Sequence, residues 1–279
     1  MTISEWLKGA IAALEESACP DPQVDARWIA EDMLQMTPAE LRFAALNELT
    51  IEQLAVLDNC LERRKSGEPV QYILGRADFM GLKFFVDSRV LIPRQDTETL
   101  VEAAIVELQA RESRDVLDLC TGSGAIGLSI KSLVPDAVVT LSDISRGALE
   151  VAEKNAHALA AEVKIRHGDL FKAVGREKFD LIASNPPYLR TDEMEELQQE
   201  VRFEPALALE AGAKGMDFYE RIAKEAPKHL KPGGAIYLET GCEQARDVLA
   251  LLNEHMDAAA SGIIRDLCGV ERVAWARSK

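Results

Sequence analysis

Asn185-Pro186-Pro187-Tyr188 directly follows the apolar run Phe179-Asp-Leu-Ile-Ala-Ser184, and those residue types in that order can grip a flat NH2-bearing group. An amide or exocyclic amine nitrogen is a poor nucleophile because its lone pair is delocalised into a π system. It reacts only when held in line with a strong methyl donor. The side-chain oxygen of Asn185 and the backbone carbonyl of Pro186 can each accept one N–H. Two prolines stiffen the turn at fixed φ, and Tyr188 supplies a flat wall. Methyl transfer to nitrogen is the chemistry this suggests. Taken alone, the tetrapeptide also reads as a strand end followed by a Pro-Pro turn, so the elements around it decide.

Upstream, Asp115-Val-Leu-Asp-Leu-Cys-Thr-Gly-Ser-Gly-Ala-Ile-Gly-Leu-Ser-Ile130 runs from a short apolar strand through a glycine-rich turn into an apolar helix. This is the pattern of the first βα unit of a nucleotide-binding fold, looser than the dinucleotide fingerprint. Gly122 and Gly124 let the backbone pass close to a ligand, and Gly127 lets helix and strand approach. A second strand, Ala137–Ser142, delivers Asp143 at its carboxyl end, with helical spacing from Ser145 to Ala160. Asp143 lies about 20 residues beyond the glycines, where a carboxylate can take both hydroxyls of a ribose; a helix N-cap is the other reading. A third strand, Val163–His167, ends in Gly168-Asp169-Leu170-Phe171, and the fourth delivers Asn185. In open α/β sheets ligands bind outside the carboxyl ends of the strands, so Gly122, Asp143, Asp169 and Asn185 are expected at one crevice.

These segments resemble a class I S-adenosylmethionine-dependent methyltransferase. Within that class the chain is similar to the PrmC (HemK) family, the N5-glutamine methyltransferases of peptide chain release factors. The resemblance rests on Glu68-Pro-Val-Gln-Tyr-Ile-Leu-Gly75, Val90-Leu-Ile-Pro-Arg-Gln-Asp-Thr-Glu98, Asp118-Leu-Cys-Thr-Gly-Ser-Gly-Ala-Ile126, Asn185-Pro-Pro-Tyr188, Glu204-Pro-Ala-Leu207 and Gly215-Met-Asp-Phe-Tyr219. Cys120 stands where that family usually has Gly, and Gln95 where it usually has Pro. The resemblance implies a Rossmann-like seven-stranded α/β domain preceded by a small helical domain and a β-hairpin connector. It places Cys120, Thr121, Gly122, Ser123 and Gly124 under the methionine portion of S-adenosylmethionine, Asp143 on the ribose and Asp169-Leu170 beside the adenine. Asn185 borders donor and acceptor alike. Asn185, Pro186, Pro187 and Tyr188 receive a glutamine side chain from the Gly-Gly-Gln loop of a class I release factor, with Arg94 and Glu98 bordering that pocket. S-adenosylhomocysteine is the expected product.

Three other readings share some of these features. A glutamine of a ribosomal protein would share the whole site. Adenine-N6 methylation of DNA or RNA presents the same geometry to the Asn-Pro-Pro-Tyr turn but needs base flipping and a basic groove. A non-catalytic S-adenosylmethionine-binding scaffold would need only the nucleotide-binding fold.

The net charge is −15, and a protein that holds a phosphate backbone normally presents Lys and Arg over a broad face. A basic protein partner fits better than a nucleic acid. No apolar stretch reaches the about 18 residues a membrane span needs, and no signal peptide opens the chain, so a cytoplasmic protein is expected. Cys19, Cys60, Cys120, Cys242 and Cys268 show no CxxC pairing, and His157, His167, His229 and His255 form no ligand motif with them; reduced thiols and no metal are expected.

The elements that must position the site divide at Ser66-Gly67-Glu68-Pro69. Residues 1–66 carry helical patterns at Ile3–Ser17, Val24–Met36 and Ile51–Lys65. Residues 67–90 read as a β-hairpin connector pairing Val70–Ile73 with Leu82–Val86. The methyltransferase domain is expected over residues 91–279, starting with Asp96 or Thr97 capping the helix Glu98–Ala110. After the Asn-Pro-Pro-Tyr turn come a helix Phe218–Leu230, a Lys-Pro-Gly-Gly turn, a strand Ala235–Glu239, a helix Gln244–Glu254 and two antiparallel strands, Gly262–Asp266 and Val270–Ala276.

Overall fold

The computed structural model describes all 279 residues, which divide into two compact units. The first comprises Met1–Arg76 together with Gln198–Phe203. Its helices are α1 (Ile3–Glu16), α2 (Pro22–Met33), α3 (Pro38–Phe43), α4 (Ile51–Lys65) and α5 (Val70–Leu74). Thr2, Thr37 and Thr50 start α1, α3 and α4 with reciprocal side-chain caps to Glu5, Glu40 and Gln53, each satisfying two otherwise orphan backbone donors. Trp6, Leu14, Ile29, Leu57, Val70 and Ile73 form the core of this unit. Arg64 is buried and its Nε donates to Asp25 Oδ2 at 2.6 Å. The same guanidinium bonds Glu200, and Gln199 Nε2 donates to the Ser66 carbonyl at 2.9 Å.

Two expectations are corrected here. Val70–Leu74 is a helix, entered from Pro69 and closed by Gly75 at φ +67°. The hairpin instead pairs β1 (Ala77–Phe79) with β2 (Leu82–Phe84). A four- or five-residue apolar run has no periodicity long enough to separate strand from helix. The helical unit accordingly continues past Gly67 to Arg76, and it takes in a segment far along the chain.

The second unit, Ala77–Leu197 with Glu204–Lys279, carries the large sheet. Its strands are β3 (Asp115–Leu119), β4 (Val138–Asp143), β5 (Lys164–His167), β6 (Phe179–Ser184), β7 (Leu230–Glu239), β8 (Ala258–Arg265) and β9 (Glu271–Ser278). They form a seven-stranded sheet in the order β5-β4-β3-β6-β7-β9-β8. The first five in that order are parallel; β9 runs antiparallel to both neighbours. Its helices are α6 (Glu98–Gln109), α7 (Ala125–Leu133), α8 (Arg146–Ala158), α9 (Asp217–His229) and α10 (Ala245–His255). Successive strand residues point to opposite faces, so Val116, Leu181 and Ala235 pack with Leu100, Leu108 and Leu128, while Leu117, Ile182 and Ile236 pack with Tyr219, Ile222 and Leu252. Both faces being covered explains why these strands read as continuous apolar runs. β7 begins at Leu230, so the expected Lys-Pro-Gly-Gly turn lies inside the strand, with Gly233 at φ +71° and a register shift against β6.

The chain winds outwards from β3 through β4 to β5, then returns to the other side of β3 as β6. That reversal opens the crevice in which doubly wound sheets bind ligands.

Candidate active site

A cavity opens at the carboxyl ends of β3, β4 and β6, lined by Leu119–Ser123, Ser142–Ser145, Gly168–Leu170, Asn185 and Pro187. The backbone of the turn after β3 is shaped for it: Cys120 lies at φ +60°, Gly122 at +55° and Gly124 at +83°. A Cβ on Gly122 would meet nothing within 4 Å, so its conformation, not crowding, calls for glycine there. Gly124 does not line the cavity. It starts α7, where an added Cβ would lie 2.8 Å from Leu128 Cδ1.

Buried hydrogen bonds hold this turn. Asp118 Oδ2 accepts from Thr121 Oγ1 at 2.5 Å and from the Gly127 N–H at 2.8 Å. Full burial pushes Asp118 up to about 7, with those two donors pulling the other way. Asn155 Nδ2 donates to the Ser123 carbonyl at 2.9 Å, and Ser184 Oγ donates to the Leu119 carbonyl at 2.5 Å.

Asp143 Oδ2 accepts from Gly122 N at 2.9 Å and Oδ1 from Ser145 N at 2.8 Å. Burial raises its carboxyl above the ordinary value, opposed by those backbone donors. The N-cap of α8 is Ser145, whose hydroxyl accepts from Ala148 N. Asp143 is therefore not the cap; it stands at the cavity with lone pairs left over. Asp169 is held by Arg221 and by Lys172, which keep its carboxyl below the usual range. Leu170 follows at φ +49°.

Asn185 lines the cavity and its Nδ2 donates to Thr97 Oγ1 at 3.3 Å. Pro186 is buried and, unlike Pro187, does not line the cavity. Tyr188 also stays off it. Its ring packs beside the α9–α10 core, its carbonyl accepts from Gln244 Nε2 at 3.0 Å, and burial pushes its phenol up to about 12. Arg94 lines the cavity and pairs with Glu204, whose other oxygen accepts from Ile92 N at 3.1 Å. Glu98 is turned elsewhere, accepting from Met80 N at 2.6 Å on the β1–β2 hairpin. Neither expected cap of α6 is used: Thr97 faces Asn185, and Asp96 pairs with Arg272 at 2.9 Å.

Among the lining residues that escaped the sequence reading as site residues are Arg89, Thr97, Phe218 and Arg221. Phe218 and Arg221 sit one turn apart on α9, with the guanidinium 5.8 Å from the ring centroid. No group of three His, Cys, Asp or Glu side chains is placed to hold a metal ion, and no helix is long and apolar enough to cross a membrane.

The cavity fits S-adenosylmethionine. It combines a glycine turn with open space above Gly122, a carboxylate at the second strand end, and apolar walls from Leu170 and Phe218. Sheet order, glycine turn and strand-end carboxylate together define a class I S-adenosylmethionine-dependent methyltransferase.

Comparison with known proteins narrows this. Residues 96–206 match the model of the methyltransferase small domain and residues 5–75 that of the PrmC N-terminal domain. A release factor glutamine methyltransferase of Koribacter versatilis is 39% identical over 281 residues, covering 99% of both chains. That of Geobacter sulfurreducens is 38% identical over 252 residues, 90% of this chain and 87% of the relative. A methyltransferase structure from Pyrococcus furiosus superposes with a TM-score of 0.50 at 17% identity, covering 71% of this chain and 89% of that one, and shows the shared fold. The chain belongs to the release factor glutamine methyltransferase family.

Proposed function

We infer that this chain transfers the methyl group of S-adenosylmethionine to the side-chain amide nitrogen (N5) of the glutamine in the Gly-Gly-Gln motif of peptide chain release factors, in support of translation termination. The observation that carries this reading is Asn185 lining the cavity that the glycine turn and Asp143 build. When bound, S-adenosylmethionine supplies an electrophilic methyl group on a sulfonium. The turn Cys120–Ser123 would hold its methionine portion, Asp143 its ribose, and Asp169-Leu170 with Phe218 its adenine. Gly124 sets the course of that turn from behind.

Asn185 Oδ1, at the cavity, and the Pro186 carbonyl, off its lining, would accept the two N–H groups of the glutamine amide and orient its nitrogen for transfer. Pro187 stiffens the turn and Tyr188 backs it. Orientation supplies most of the rate, and the two carbonyl dipoles offset the positive charge growing on nitrogen. Methyl transfer acidifies that nitrogen, so the chain need not place a strong base. Arg94, held by Glu204, borders the acceptor side. Glu98 instead braces the β1–β2 hairpin through Met80 N.

A glutamine side chain offers such a pocket few contacts, so choosing one glutamine in one protein requires surface outside it. The helical unit is assigned that task, in keeping with its exposed Phe43, Leu46 and Ile51. The net charge of −15 favours a protein partner over nucleic acid, and the cytoplasm is where such a partner works.

The test is to incubate the enzyme with methyl-labelled S-adenosylmethionine and, separately, a release factor, ribosomal proteins and nucleic acid. Label is expected in the release factor. Label confined to nucleic acid or to a ribosomal protein overturns the reading.

A further inference from the structure

Glu239 ends β7 beside the strand that delivers Asn185. The parallel register of β6 and β7 pairs Ser184 with Leu238, so the next residue on each strand, Asn185 and Glu239, emerges side by side. Glu239 is 1% exposed. Burial pushes its carboxyl up to about 7, while the Thr97 hydroxyl and the Asn185 amide face it and favour its ionised form. Its Oε2 has no hydrogen-bond partner. The backbone there is clamped: Tyr219 Oη donates to the Glu239 carbonyl at 2.8 Å, and Thr240 N donates to the Arg272 carbonyl at 2.8 Å.

A buried carboxylate with an orphan oxygen costs stability, and the charge of Arg272 offsets burial only in part, leaving the carboxyl raised, so stability does not account for this residue. Its neighbour does. The two ends of an asparagine amide are nearly the same shape, and a half-turn about the last side-chain bond exchanges oxygen for NH2. With NH2 outward, Asn185 would present donors to a substrate that is itself a donor. The orientation is decided by what lies behind the amide: Thr97 Oγ1, which accepts from Nδ2 at 3.3 Å, and a carboxylate that only accepts when ionised.

We propose that Glu239, acting with Thr97, is a positioning residue that holds Nδ2 of Asn185 inward and so presents Oδ1 to the N–H of the substrate amide. This rests on the role assigned to Asn185 above. The carboxylate draws the Thr97 O–H towards itself, which leaves the Thr97 lone pairs for Nδ2. It needs no contact with substrate. A glutamine in its place keeps the shape but carries an NH2 group of its own, which competes with Nδ2 for the same acceptor and lets the Asn185 amide turn over.

The test compares Glu239→Gln, Asn185→Ala and the double variant in the full chain, with purified release factor as acceptor. Glu239→Gln is expected to lower kcat by about tenfold or more, with S-adenosylmethionine affinity within about twofold of the parent and a melting temperature at pH 8 that holds or rises. In the Asn185→Ala background the same substitution should cost nothing further, because no amide remains to be held. Thr97→Val, which removes the hydroxyl and keeps the shape, carries the same comparison if Glu239→Gln does not fold, and Thr97→Ser should recover turnover relative to Val. Near-parental turnover in folded Glu239→Gln, or losses that multiply in the double variant, overturns the proposal. Near-parental turnover in Asn185→Ala instead overturns the reading on which it rests.

Discussion

Gly122 donates its backbone N–H to Asp143 Oδ2 at 2.9 Å, tying the turn after β3 to the end of β4. With Ser145 N on the other oxygen, two backbone donors hold the carboxylate in one rotamer, and a ligand on its remaining lone pairs meets a group already ordered. Asp143→Ala should weaken S-adenosylmethionine binding by about 1.5–3 kcal/mol, as loss of charge-assisted bonds to a ribose requires. Calorimetry reads this directly; unchanged affinity would confine Asp143 to holding the glycine turn. Because burial raises its carboxyl, affinity in the parent should fall on acidification at a higher pH than an ordinary carboxylate would set, since the protonated form loses acceptor strength.

Cys120 sits at φ +60°, a conformation in which any Cβ is strained. Cys120→Gly and Cys120→Ala both lose the sulfur, but only glycine is free of that strain. The glycine variant should be the more stable by about 1 kcal/mol in denaturant unfolding. An alanine variant of equal or greater stability would show that the turn carries no strain at this position.

Much of this site is legible in the sequence because it obeys local rules. The glycine turn, Asp143 at a strand end and Asn-Pro-Pro-Tyr each follow an apolar run, and the ends of neighbouring parallel strands are bound to converge. What escaped depends on partners distant in sequence. Thr97 looks like a helix cap, yet its hydroxyl is claimed by Asn185. Glu239 looks like the last residue of a strand, and only the β6–β7 register shows what it stands beside. Gln198–Phe203 joins the helical unit through an ion pair between buried Arg64 and half-buried Glu200 that no periodicity announces. Glu98 was expected at the pocket from its motif, but its side chain is taken by Met80 N.

The proton on Glu239 is linked to folding. Its carboxyl titrates at about 7 in the folded chain against an ordinary 4.5, so the native state keeps a proton that the unfolded state has lost. Stability from this group is present at low pH and is lost as pH rises towards about 7. Asp118, also pushed to about 7, acts in the same direction. Glu239→Gln removes one of the two, so its stability relative to the parent should climb between about pH 4.5 and pH 7.5 in a series of denaturant titrations. Parallel curves would show that Glu239 titrates as an exposed carboxylate does.

Phe43, Leu46 and Ile51 are 92%, 83% and 85% exposed and take no part in the core of the helical unit. If they meet the body of the release factor, Phe43→Ser with Leu46→Ser should raise KM for intact factor by about tenfold or more, the scale of removing contact anchors. KM for a short Gly-Gly-Gln peptide should not move. This pair is a better probe than removing residues 1–65, which would leave Glu200 without Arg64. Equal effects on factor and peptide would take recognition away from this surface.

The most direct measurement is the position of the transferred methyl group. Release factor treated with the enzyme and isotopically labelled S-adenosylmethionine is digested and its peptides are fragmented in a mass spectrometer. One added methyl on the side-chain amide of the Gly-Gly-Gln glutamine is expected, formed about a hundredfold or more slowly by Asn185→Ala that still binds S-adenosylmethionine. A methyl on any other residue, or an unmodified factor beside folded enzyme saturated with S-adenosylmethionine, would contradict glutamine N5 as the acceptor.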